Sequence, residues 1–435
     1  METRFTEEQL ANPPIKRANE ILRTCVHCGF CLATCPTYQV LGDELDSPRG
    51  RIYLIKDMLE SGRPADEKTV KHIDRCLSCL ACMSTCPSDV HYMHLVDYAR
   101  EYIEETYKRP LTDRLLRKML KVMMTNQKLF GLSLLFSRFA KPFSSFMPDK
   151  RLRAMLSLSP SGIKKAEEYI RGETFFPENK KKFRVALLMG CVQQAINPSI
   201  NQATISLLTR LGCEVVVPTY GCCGALPHHM GSKDECSHLA LGTINSLIEE
   251  MDGDGLDAII INTSGCGTTI KDYGYMFQNH PSQKDAERVT ELAVDITEFI
   301  DRIGFPFHEK PSIRIGYHAA CSLQHGQGIK TIPKELLKSA GFEVVEPLNS
   351  HLCCGSAGTY NMLQPEISKE LRTRKIDTLE AKKPDIIATG NIGCMVQISA
   401  GTNIPVVHTV ELLDWISSPT SSPKSLDTLK ADFNC

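Results

Sequence analysis

Cysteine is the side chain with which this protein is equipped to do chemistry, and it comes in two patterns. One is a single spacing written twice, Cys25-x2-Cys28-x2-Cys31-x3-Cys35-Pro36 and Cys76-x2-Cys79-x2-Cys82-x3-Cys86-Pro87. The other is a vicinal pair followed by glycine, also written twice, as Cys222-Cys223-Gly224 and Cys353-Cys354-Gly355. Nineteen cysteines in 435 residues is a heavy load, and thiolates are soft metal ligands. A disulfide scaffold would call for an export signal, whereas METRFTEEQLANPPIKRANE has charges and no apolar run. The expectation is a cytoplasmic chain with reduced thiols, whose cysteines hold metal.

The first pattern is the two-cluster ferredoxin spacing. Two-residue gaps let a tight turn aim three thiolates at three corners of one cube, while the fourth cysteine leads away and ligates the other cube. The expected [4Fe–4S] sets are Cys25, Cys28, Cys31 and Cys86 for one cluster, and Cys35, Cys76, Cys79 and Cys82 for the second. Pro36 and Pro87 are expected to stop the preceding helix and turn the chain. A pair of zinc knuckles would also use C-x2-C, but does not call for the full run twice. Two cubes in one small module serve electron transfer.

The second pattern sits inside an internal duplication. LLTRLGCEVVVP (207–218) leads into the first CCG and LLKSAGFEVVEP (336–347) into the second, at an offset of 129. Lone cysteines flank both copies, Cys191 matching Cys321 and Cys266 matching Cys394, and VDITEFID (294–301) resembles VHTVELLD (407–414). Apolar runs at 183–190, 214–218, 257–263, 312–318, 342–347 and 385–390 alternate with helical stretches such as 200–211 and 332–340, which predicts βαβ units with mainly parallel sheets. Every cysteine of this pattern then falls at the carboxyl end of a strand, where such sheets gather functional residues. Each copy supplies four sulfurs, enough for one further cluster: Cys191, Cys222, Cys223 and Cys266 in the first, Cys321, Cys353, Cys354 and Cys394 in the second. A strained vicinal disulfide and inert buried thiols are the competing readings.

The elements that must position these residues divide the chain into a helical two-cluster domain (1–105), a basic helical linker (106–180), two α/β CCG domains (181–305 and 306–418) and a polar tail (419–435). The fold class is therefore multidomain, α followed by α/β. His318, His325 and His351 surround the second CCG and are candidates for a proton relay, satisfied structural histidines being the alternative. GDELDSPRGR (42–51) reads as a salt-bridged helix start, or as a docking patch. Residues 111–155 hold ten Lys/Arg against two Asp/Glu, with Leu, Met and Phe at helical spacing. That pattern suits a helix lying on a membrane surface or covering another domain or subunit. A net charge of −1 excludes a general nucleic-acid binder, and no G-x-G-x-x-G dinucleotide fingerprint occurs.

The repeats resemble the cysteine-rich CCG domains of heterodisulfide reductase B subunits, in which a closing C-x-x-C brings the count to five for a noncubane cluster. Here Thr263 and Asn391 stand where the fifth cysteine would be, so a four-cysteine site is expected. Across residues 15–415, CVHCGFCLATCPTYQVLGDELDSPRGRIYLIK, SGCG, LQHGQ, HLCCGSAGTY and NIGC resemble the family of glycolate oxidase iron–sulfur subunits. The resemblance implies that FAD-containing partner subunits oxidise glycolate to glyoxylate, and that this chain passes the electrons to an acceptor such as a membrane quinone. Related roles are those of the iron–sulfur subunits of anaerobic glycerol-3-phosphate or lactate dehydrogenases, or catalysis at a CCG-held cluster as in heterodisulfide reductases.

Overall fold

A computed structural model describes residues 1–147, 149–159, 171–305 and 313–418. The polar tail, residues 160–170 of the linker and the boundary segment at 306–312 lie outside the described residues.

The amino-terminal module is helical. Helices Pro13–Thr24, Pro48–Ser61, Glu67–Asp74 and Tyr92–Thr106 close over Leu22, Ile55, Met58, Ile73, Leu95 and Ile103. Each of these side chains is fully withdrawn from water, contributing about 1.5–3 kcal/mol. The acidic and arginine stretch is a salt-bridged helix start. Ser47 caps Pro48–Ser61, and the buried Asp46 carboxylate accepts from His72 Nδ1 and Arg75 Nη1, each at 2.9 Å.

Two sheets follow, built from the apolar runs. The first holds β1 (Thr174–Phe175), β2 (Phe183–Leu188), β3 (Cys213–Val216), β4 (Ala258–Ile261) and β5 (Ala293–Asp295), in the order β1-β3-β2-β4-β5. The second holds β6 (Arg314–Tyr317), β7 (Glu343–Val345), β8 (Ile386–Thr389) and β9 (Val406–His408), in the order β7-β6-β8-β9. All pairings are parallel except β1 with β3. Register confirms the duplication: Val185 pairs with Val215 and Ala258, and Ile315, its counterpart, pairs with Val344 and Ile386.

The repeats share one apolar core across a pseudo-twofold relation. Helix Ser199–Arg210 of the first packs on Thr409–Ser417 of the second, and Ile296–Ile303 packs on Ile332–Ser339, so equivalent helices swap partners. Asp295 and His408, at matching ends of β5 and β9, both open helices through capping boxes, with Glu298 and Glu411. β1, β5 and β9 were not expected from sequence. Two or three residues are too few to show strand periodicity.

The linker helices Leu111–Thr125, Gln127–Ala140 and Lys150–Leu158 lie across both repeats. Their start is fixed by Asp74, which takes Arg109 at 2.7 Å and Arg117 at 2.9 Å. Burial works against the Asp74 charge, but the two guanidiniums outweigh it and hold its pKa below the usual range. The module docks on the second repeat through Tyr360 Oη to Arg75 O (3.1 Å) and His325 Nδ1 with Ser84 Oγ (2.7 Å). On the first repeat, buried Asp97 meets His228 Nε2 at 3.2 Å. The histidines after the first CCG therefore serve this junction.

Candidate metal centres

The two ferredoxin-type loops are built alike. Positive φ occurs at the second and fourth positions after each leading cysteine: His27 and Gly29 after Cys25, Ser78 and Leu80 after Cys76. Such left-handed steps turn successive N–H groups inward and form an anion-binding concavity. Three of the four positions are not glycine, so the loops carry backbone strain. A cavity of about 30 Å³ is lined by Cys25, Cys28, Cys31 and Cys86, and also by Cys82. The fourth cysteine of the second motif thus lies with the first three of the first motif.

Cys35 lies with the second loop. Arg51, 1% exposed, sets a guanidinium 3.8 Å from Cys35 Sγ, and its charge together with that of Arg100 outweighs burial to lower the Cys76 pKa. Tyr92 Oη donates to Cys76 Sγ at 3.7 Å, and Ser78 N at 3.5 Å. Cys79 and Cys82 are pushed well up by burial, with neighbouring thiols adding to it. One expectation fails here. Pro36 does not stop a helix but opens Pro36–Leu41 at its first position, with Cys35 as N-cap, because proline's missing N–H costs nothing there. Pro87 does follow a helix, Ala81–Thr85.

In the CCG repeats the cysteines stand beyond the carboxyl ends of β2, β3 and β4, and of β6, β7 and β8, with Cys191 opening a helix, Cys266 and Cys394 inside helices, and the vicinal pairs in loops. In the first copy the thiols form two pairs, Cys191 with Cys222 (3.9 Å) and Cys223 with Cys266, whereas in the second they run on from Cys321 to Cys353, Cys354 and Cys394. Hydrogen bonds from partner thiols and burial push Cys191, Cys223 and Cys321 well up, whereas Cys222 is drawn to about 7 by its bond with Cys191. Cys191, Cys223 and Cys321 are thus held as thiols, and a metal is the partner that would ionise them.

The glycine of each CCG has a steric cause. Gly224 has φ +75 and Gly355 φ +89, and an added Cβ would stand 2.9 Å from Cys236 O or 2.5 Å from Ser368 O. Gly355→Ala is expected to destabilise the second repeat by more than the 1–2 kcal/mol or so of the left-handed backbone alone. Thermal melting checks this; an unchanged midpoint would contradict the steric reading.

Thr263 and Asn391 are engaged elsewhere. Thr263 Oγ1 donates to Gln193 Oε1, and Asn391 Oδ1 caps the helix Ile392–Ser399 that carries Cys394. Asn391 Nδ2 reaches Ser264 Oγ at 2.7 Å, beside the Cys266 helix, and so ties the two sites together. Seven of the eight cysteines, all but Cys354, line one cavity of about 500 Å³, together with Cys79 of the amino-terminal module. Its roof is apolar and methionine-rich: Met119, Met123 and Met124, Phe130, Leu134 and Met155 from the linker helices.

The three histidines separate. His318 is wholly buried against Cys354 and Cys394, and its ring nitrogens have no hydrogen-bond partner. His325 Nε2 meets the His351 carbonyl at 3.0 Å, so it is tied to backbone and to Ser84. Sequence reasoning missed Lys375, which is 3% exposed and whose charge is coupled to all four cysteines of the second site. Nothing in its helical context, RTRKIDTLE, separates it from a surface lysine. Counted from Cys236 and Ser368, the carbonyls that face the two CCG glycines, the first copy has Thr243 in its place.

Comparison with known proteins covers the same segments of the chain. A family model described as a 4Fe-4S dicluster domain matches residues 21–90, and one described as a cysteine-rich domain matches residues 185–271 and 315–399. The glycolate oxidase iron–sulfur subunit of Escherichia coli (strain K12) is 40% identical over 420 residues, covering 95% of this chain and 98% of that one. A probable glycolate oxidase iron–sulfur subunit of Bacillus subtilis (strain 168) is 32% identical over 443 residues, with 95% and 98% covered. Lactate utilization protein A of Exiguobacterium is 29% identical over 245 residues, 53% of this chain and 96% of that protein. With likeness running from the ferredoxin-type loops through both repeats, the chain belongs to the family of glycolate oxidase iron–sulfur subunits.

Proposed function

We propose that this chain carries electrons within an oxidoreductase complex that oxidises glycolate to glyoxylate, the hydride being taken by FAD on a partner subunit and the electrons leaving to a quinone. One observation carries the reading. Cys79 of the second ferredoxin-type loop packs in one cluster with Cys321 and Cys353, so that loop faces the second CCG site directly.

The donor sets fit iron–sulfur clusters: soft thiols, inward-turned N–H groups and buried cations that offset thiolate charge. Cys25, Cys28, Cys31 and Cys86 would hold the first cluster, Cys35, Cys76, Cys79 and Cys82 the second, and the four cysteines of each CCG site one more. Bound there, such clusters accept and release one electron at a time.

The ends of the path differ in character. Cys28 is exposed, with Val26, Phe30 and Tyr53 standing out beside it, which suits the entry face for a flavin subunit. At the other end, the large apolar cavity suits a lipophilic acceptor. The outer face of its roof exposes Leu111 (81%), Leu115 (71%), Phe139 (73%) and Phe143 (64%) amid the basic excess of residues 111–155, a surface for an anionic bilayer. Among the described residues no helix is long and apolar enough to cross a membrane. Glycolate loses two electrons and two protons in becoming glyoxylate, and a quinone takes up two of each in becoming quinol, so the overall exchange balances.

The test is anaerobic co-purification with the flavoprotein partners, followed by assay of glycolate, D-lactate and glycerol 3-phosphate with an artificial acceptor. Turnover of glycolate above the other two is expected. Preference for lactate would instead favour the role named in the shorter relatives, which share 53% of this chain.

A further inference from the structure

His318 is the polar side chain that the fold leaves most conspicuously without a partner. It is 0% exposed, its Nδ1 and Nε2 both lack any hydrogen bond, and its backbone N–H is pinned to Ala388 O at 2.9 Å. An imidazole buried with no partner for either nitrogen loses its hydration and gains nothing in return. That cost is removed if one nitrogen binds a metal. A ring nitrogen of His318, Cys354 Sγ and Cys394 Sγ all lie within 4.8 Å of one another. Two thiolates on one tetrahedral metal, each about 2.3 Å from it, stand about 3.8 Å apart. The triad is compact enough for its three atoms to reach a single metal. In a cubane with one thiolate on each of four irons, the sulfurs stand farther apart. Among the amino-terminal cysteines no three come within 4.8 Å of one another.

Resting on the reading that the second CCG site holds an iron–sulfur cluster, we propose that His318 is a nitrogen ligand there, sharing one iron with Cys354 and Cys394. Cys321 and Cys353 hold the remainder of the cluster. The histidine thus supplies a fifth donor where Asn391 is committed to capping a helix and bonding Ser264. The first copy differs. Three residues before Cys191 stands Leu188, which offers no donor, so that site is served by sulfur alone. A neutral imidazole supplies the fifth donor without the negative charge that a fifth thiolate would add, and so keeps the reduction potential above that of an all-sulfur set of five, as histidine ligation does in Rieske centres. The duplicated sites then differ in their donors.

Electron spin-echo spectroscopy of the reduced, anaerobically purified full chain tests this, beside iron analysis. The expected result is more than about eight irons per chain and a nitrogen coupling of the strength of directly bound imidazole, altered when histidine is labelled with 15N. His318→Leu, the residue of the first copy, should abolish the coupling. His318→Cys, which returns a sulfur donor, should keep the iron, lose the coupling and shift the second-site reduction equilibrium at least tenfold toward the oxidised form, about 59 mV for one electron. About eight irons or fewer would overturn the loaded-site reading and the ligand with it. Full iron with no strong nitrogen coupling, or a coupling that survives in His318→Cys, would overturn the histidine ligand alone.

Discussion

Cys353→Ser is expected to stop electron delivery to quinone while glycolate still reduces the amino-terminal clusters. Cys353 is buried beside Cys79, Cys321, Tyr360 and Leu371, where the ferredoxin-type module meets the second repeat. Its thiol pairs with Cys321, and Gly355 N donates to its sulfur at 3.4 Å. Serine keeps the size and the backbone bond but offers a hard, weakly acidic oxygen to a site that selects soft ligands. The amino-terminal loops use none of these atoms and should load normally. Steady-state quinone reduction should fall at least a hundredfold, about 2.7 kcal/mol on the barrier scale, with reduction of the module's clusters by glycolate within a few-fold of wild type. Quinone reduction that stays near wild type would remove the second CCG site from the path.

The second large effect concerns Arg51, a buried cation between the two motifs. Its Nε donates to His72 O at 2.7 Å and its Nη2 to Thr37 Oγ1 at 3.0 Å, while Nη1 points at Cys35 Sγ. Burial opposes its charge, but Cys76, Tyr92, Cys35 and Asp46 outweigh that and keep its pKa raised. A positive charge here stabilises the reduced, more negative cluster. At an effective dielectric of about 20 and a separation of roughly 6 Å, the interaction is about 3 kcal/mol. Arg51→Met should therefore lower the midpoint of the second cluster by on the order of 100 mV, and cost stability by leaving Asp46 with two partners instead of three. Arg51→Lys keeps the charge but loses the forked donors, so it should hold the potential better than the fold. A redox titration followed by electron paramagnetic resonance reads both variants. Equal midpoints in wild type and Arg51→Met would show that the cation serves packing alone.

What the sequence made legible were features fixed by local geometry. The spacing Cys25 to Cys35 must curl in one way to converge three thiols, so the grouping of the first three with each other could be anticipated. Runs such as VALL and AIII are apolar on both faces because both faces of their sheets are covered, and they mark β2 and β4 well. The duplication was visible because its offsets survive as strand register. Features that depend on distant chain were not legible. Lys375 faces the second site only because its helix packs behind β8, and His318 parts from His325 because the latter turns outward to Ser84. The cavity is made by linker helices whose apolar spacing fits a membrane and a domain cover equally; they cover the CCG sites with one face and expose apolar residues on the other. Pro36 was misread because a proline after the fourth cysteine can end a helix or begin one, and which applies depends on the turn before it.

The central claim, that electrons cross from the ferredoxin-type module to the second CCG site, is tested most directly by rapid freeze-quench electron paramagnetic resonance of the complex mixed with glycolate. Signals of the module's clusters should rise first and decay as a second-site signal grows, and this later signal should be missing in Cys353→Ser while the earlier ones persist. Signals from the module alone, the same in wild type and in Cys353→Ser, with quinone still reduced, would contradict it.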